Sequence, residues 1–95
     1  MHEEEFLGDP TQFSDVDWQQ LADVVKEHGE VTIYFVVGMP PLGHEYSRRV
    51  DAMTSALRMN LNRLIEGTVL VAEATRDGGP NAHVGYDIEV QHLNE

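Results

Sequence analysis

The chain has 95 residues, with seventeen acidic side chains against six basic ones, a formal charge of −11, 41% hydrophobic residues and no cysteine. So negative a surface repels phosphate backbones and anionic lipid, which argues against direct binding of nucleic acid or membrane and favours basic partners. Without cysteine there is no disulfide, no thiolate metal site and no cysteine nucleophile.

The length suits one domain burying roughly 60 to 65% of its unfolded surface, so association between subunits would add useful stability. Apolar runs such as residues 33–37 are far short of the ~20 residues that cross a bilayer, and the acidic start is unlike a signal peptide. A cytoplasmic protein is expected. The charge is also uneven. Residues 1–30 hold nine acids and one base, residues 31–66 three acids and four arginines, and residues 67–95 five acids and one arginine.

Residues 1–12 carry Glu3, Glu4 and Glu5, then Gly8, Asp9 and Pro10. This composition predicts a flexible acidic arm ahead of a single domain at 13–95. Ser14 and Asp17 then have the spacing of a capping box, and Phe13 and Trp18 that of a hydrophobic staple. A helix should run over residues 15–28. Trp18, Leu21, Ala22 and Val25 form its apolar face, and Gly29 supplies the stop.

Residues 31–37 are rich in β-branched and aromatic side chains, with neither face plainly polar, as in a strand covered on both sides or lying against another subunit. Paired prolines between glycines make residues 38–43 a loop. Residues 44–66 form the longest periodic stretch, with Tyr46, Val50, Met53, Leu57, Leu61 and Leu64 on one helical stripe. The reverse side carries Arg49, Ala52, Ala56, Met59 and Arg63, a surface open to close approach by the first helix or by a second copy. A homo-oligomer is therefore expected.

A second strand should cover residues 68–75 and a hairpin loop residues 77–81. In the third strand, residues 83–92, Val84, Tyr86, Ile88 and Val90 alternate with His83, Gly85, Asp87, Glu89 and Gln91. The predicted class is α+β with element order α-β-α-β-β. Its three-stranded antiparallel sheet, order 1-3-2, packs under a long helix and a shorter N-terminal one.

The strings Phe35-Val36-Val37-Gly38 and Val71-Ala72-Glu73-Ala74, with the glycine loop before Val84-Gly85-Tyr86-Asp87, resemble dodecins, small flavin-storing oligomers of β-α-β-β fold. The likeness is topological and spans about two thirds of the chain. It implies a small-ligand-binding oligomer. Dodecins hold flavin with a tryptophan early in the second strand and a glutamine in the third; the comparable places here are Thr68 and Asp87, so flavin storage is not carried over.

Chemistry is sparse. His44, Glu45, His83 and Asp87 are the metal-ligand types present, but their spacing matches no zinc or calcium motif, and no metal or other cofactor is expected. The loop at 38–43, with Arg48 and Arg49 beyond it, lacks the lysine and hydroxyl of a phosphate-binding loop. Ser14 is explained by capping, and Ser47 and Ser55 have no base at motif spacing, so no enzyme is expected. What remains is an acidic interaction module using Glu3, Glu4, Glu5, Asp15, Asp17, Asp23, Asp87 and Glu89 against a basic protein surface. Its concrete form is a phage-type inhibitor that mimics nucleic-acid charge and blocks the basic groove of a nuclease or defence complex. Two alternatives stand beside it: the small-ligand-binding oligomer, and a halophile protein whose acidity is adaptation alone.

Overall fold

A computed structural model describes residues 2–38, 44–76 and 82–91; the loops expected at 38–43 and 77–81 therefore lie almost wholly outside the described residues. The chain runs β1 (His2–Leu7), a 3-10 turn (Pro10–Gln12), α1 (Asp15–His28), β2 (Glu30–Gly38), α2 (His44–Leu64), β3 (Thr68–Arg76) and β4 (Ala82–Gln91).

Helix α1 begins where its end signals place it. The Ser14 hydroxyl accepts from the Asp17 N–H and the Asp17 carboxylate accepts from the Ser14 N–H, a reciprocal capping box. The Phe13 ring meets Trp18 edge-on at 5.4 Å. At the other end Gly29 takes φ 72°, a left-handed conformation that glycine adopts without a Cβ clash. Its N–H returns to the Val25 carbonyl, while its own carbonyl accepts from the Val90 N–H at 2.7 Å, tying the helix end to β4.

The sheet corrects the expectation. It has four strands in the order β1-β2-β4-β3, not three, and the acidic segment read as a loose arm supplies the extra one. Strand β1 pairs parallel to β2, with α1 as the crossover that a parallel pair requires. The arm reading failed because alternation in a strand separates this segment's acids from its apolar side chains. Glu3 and Glu5 project on one side, while Phe6 on the other reaches the core, 6.3 Å from the Phe35 ring. The exit from β1 is also anchored. Asp9 accepts from the Thr11 N–H and hydroxyl and from Arg49 Nε at 3.2 Å, and Pro10 is buried.

Both helices lie on one face of the sheet. There Val31, Ile33 and Phe35 of β2, Val84, Tyr86 and Ile88 of β4, and Val69 and Val71 of β3 meet Leu21 and Val25 of α1 and Val50, Met53, Leu57 and Leu61 of α2 in one cluster. Tyr86 is fully buried, so its hydroxyl needs partners. It donates to the Val50 carbonyl at 3.1 Å and lies 2.9 Å from the Thr54 hydroxyl. Among the described residues no helix is long and apolar enough to cross a membrane.

Candidate functional site: the uncovered sheet face

Period-two alternation sends every second strand residue to the side opposite the helices, and no described element covers that side. The register then decides which residues meet. Glu30 lies opposite Glu89, Thr32 opposite Asp87, Tyr34 opposite Gly85 and Val36 opposite His83. Strand β1 adds Glu3 beside Thr32, Glu5 beside Tyr34 and Leu7 beside Val36, while β3 adds Leu70 beside Glu89 and Ala72 beside Asp87. Three strands thus bring Glu3, Glu5, Glu30, Asp87 and Glu89 to one surface, with Leu7, Tyr34, Val36, Leu70 and Ala72 among them.

Two contacts organise this surface. The Thr32 hydroxyl donates to Asp87 at 2.7 Å, which fixes that carboxylate from the neighbouring strand. His83 Nε2 and Glu5 Oε2 are 3.0 Å apart; because β2 lies between their strands, the pair bridges over it. Gly85 is buried although it belongs to this face, with Tyr34 as its cross-strand partner. A shallow depression of about 320 Å³, bounded in part by Glu30, Leu70, Ala72, Asp87 and Glu89, combines a small apolar floor with an acidic border.

Glu30 and Glu89 are directly opposed, and like charges so placed destabilise a sheet. Other ion pairs of the described residues lie away from this face, at Asp23–Lys26, Glu27–His28 and Asp9–Arg49. Among the described residues, no ion pair compensates Glu30 and Glu89. A cationic side chain brought in from outside would relieve that repulsion while its aliphatic stem covered Leu70 and Ala72.

The structure divides the acids singled out from sequence. Glu3, Glu5, Asp87 and Glu89 gather here. Glu4 projects to the helix side of β1 and is half-buried. Asp17 is engaged in the capping box, Asp23 accepts from Gln19 and pairs with Lys26, and Asp15 sits exposed at the start of α1. Glu30 was missed. It reads locally as the residue after a helix stop, and only the pairing of β2 with β4 puts it beside Glu89.

The α2 face is also split. Arg49 is taken up by Asp9, Ala56 packs against the core, and Arg63 donates to Asn60 on its own helix. Ala52 and Met59 stay exposed, Met59 to 68%, so α1 does not cover this stripe. Of the metal-ligand types, the side chains of His44 and Glu45 lie outside the described ones, while His83 and Asp87 are engaged by Glu5 and Thr32. The chain matches no protein-family model and no curated protein, so the site is read from its own geometry.

Proposed function

We propose that this protein is a non-enzymatic interaction module whose uncovered sheet face receives a basic protein surface. The observation that carries this reading is the convergence of five carboxylates from three strands onto one face that also exposes apolar side chains. Such a face suits a cationic partner on two counts. Opposite charge steers encounter and fixes orientation, and the exposed apolar groups supply area whose burial holds the complex. Face-to-face pairing of two copies would set acid against acid, which favours a different protein over a second copy here.

A concrete version is an inhibitor that presents carboxylates where a nuclease or defence complex expects phosphates, in the cytoplasmic setting the sequence suggests. Along each strand, Glu3 with Glu5 and Asp87 with Glu89 stand two residues apart, about 7 Å, so the charges form short regular rows.

The test separates placement from net charge. One variant combines Glu3→Lys, Glu5→Lys and Asp87→Lys; its control combines Asp15→Lys, Asp23→Lys and Glu27→Lys on α1, with the same change in total charge. Binding to polylysine and to basic proteins captured from host lysate is measured across a salt series. The face variant is expected to lose at least about tenfold in affinity and the helix variant to retain most of it. Equal loss in both would show that bulk charge acts without a site.

Self-association is assigned to a different surface, the exposed stripe of α2, on the strength of Met59. Light scattering on the wild type and on Met59→Glu tests it; a wild-type monomer at high concentration removes it.

A further inference from the structure

The two edges of the sheet are treated differently. Strand β3 ends the sheet beside α2, and two of its outward backbone groups are taken up by that helix. The Val69 N–H donates to Asn62 Oδ1 at 3.1 Å, and the Val71 carbonyl accepts from Arg58 Nη2 at 3.3 Å. An edge with part of its backbone already bonded to side chains is a poorer template for another strand.

Strand β1, at the opposite edge, has no such guard among the described residues. The Gly8 N–H donates to the Val36 carbonyl at 2.9 Å, so the backbone of Gly8, and with it that of Phe6 and Glu4, faces β2. The N–H and C=O groups of Glu3, Glu5 and Leu7 then point away from the sheet, and Leu7 is 82% exposed. Beside this edge, on its helix side, runs a groove of about 440 Å³ lined in part by Phe6, Phe13, Asp17 and Gln20.

We propose that β1 is a receiving edge, to which an extended basic segment of a partner protein adds as a fifth, antiparallel strand. The proposal rests on the reading of the acidic face as the partner surface and specifies how the partner engages it. Strand addition supplies backbone hydrogen bonds for affinity and alternate side chains for specificity. In antiparallel pairing, residues opposite Glu3 and Glu5 lie on the open face and match those carboxylates if basic; the residue opposite Leu7 matches it if apolar. Intervening side chains fall on the other side, where the Phe6–Phe13 groove accepts apolar groups. A second copy of β1 is a poor occupant, because antiparallel self-pairing about Glu5 sets that carboxylate against its own copy.

The probe is a short peptide alternating lysine and valine, in three forms: unmodified, methylated on the lysine backbone nitrogens, and methylated on the valine backbone nitrogens. Affinity is followed by calorimetry, and exchange protection of the Glu3, Glu5 and Leu7 amides by nuclear magnetic resonance. The unmodified peptide is expected to bind at low salt and to protect those three amides. Methylation at lysine, whose N–H would face β1, should weaken binding at least about tenfold, and methylation at valine much less. In the protein, Glu5→Pro removes one outward N–H, and Glu5→Lys reverses the charge; both are expected to weaken the unmodified peptide, with folding checked by circular dichroism.

If both methylated peptides bind as well as the parent, strand addition is overturned while the acidic-surface reading stands on charge alone. Equal loss with both methylations, absence of binding, or a free protein already dimeric with protected β1 amides would each overturn the proposal as well.

Discussion

The two faces of this sheet are built from the same four strands, yet obey different rules. On the covered face, Phe35, Tyr86, Ile33 and Val84 are buried to completion or nearly so, and the Tyr86 hydroxyl carried in with them is bonded to α2. On the other face, immediate sequence neighbours of these residues, Val36 and Asp87 among them, meet solvent, and Glu30 stands opposite Glu89. One face is optimised for stability. The other sets Glu30 directly opposite Glu89, a like-charge pair that the core does not involve.

The largest effect that sharpens this contrast comes from β2 itself. Phe35→Ala, which empties a site ringed by Phe6, Phe13 and Tyr86, is expected to cost about 3–5 kcal/mol in chemical denaturation. Val36→Ala, one residue on, should cost less than about 1 kcal/mol because its side chain is only half-buried. Comparable losses at the two positions would mean that the outer face is packed after all.

A smaller effect is expected at the capping box, where Ser14→Ala removes the acceptor for the Asp17 N–H and should cost about 1 kcal/mol, read from the same denaturation curves. Tyr86→Phe is expected to cost a similar amount, about 1 kcal/mol, since the ring still fills its place and Thr54 still donates to the Val50 carbonyl. A null result there would show that the buried hydroxyl contributes nothing to the covered side.

The smallest expected effect has the opposite sign. Glu89→Lys replaces a like-charge pair with Glu30 by an opposite one and should raise stability by a few tenths of a kcal/mol, up to about 1 kcal/mol, at low salt. The gain should shrink as salt rises past about 0.1 M, where screening acts over about 10 Å. Stabilisation on this face together with loss of partner binding is the signature of a functional surface. If the wild type instead gains stability steeply with potassium chloride and no face variant alters binding, the acidity is adaptation to salt.

Much of the scaffold was legible because its signals are local. The capping box, staple and stop glycine of α1 act within a turn of the residues they specify, the stripe on α2 repeats every three or four residues, and β4 alternates cleanly. The acidic arm was misread for a related reason. A run of glutamates with one phenylalanine has the composition of a solvated tail, and nothing within that window shows that β2, some thirty residues later, will pair with it in parallel. The candidate site was half legible. Glu3, Glu5, Asp87 and Glu89 stood out as acids, but Asp15, Asp17 and Asp23 stood out equally, and sequence could not divide the two groups.

By itself, then, the sequence determined the net charge, both helices with the cap and the periodicity that define them, and the alternation that gives each strand two unlike sides. Only the tertiary structure decided that β1 joins the sheet, that Glu30 faces Glu89, that Arg58 and Asn62 bond part of one edge while no described side chain does so at the other, and that five carboxylates share a surface. The physical reason is range. Caps and periodicity are settled by neighbours a few residues apart, whereas register and edge are settled by pairing between strands that meet only when the whole sheet has closed over its core.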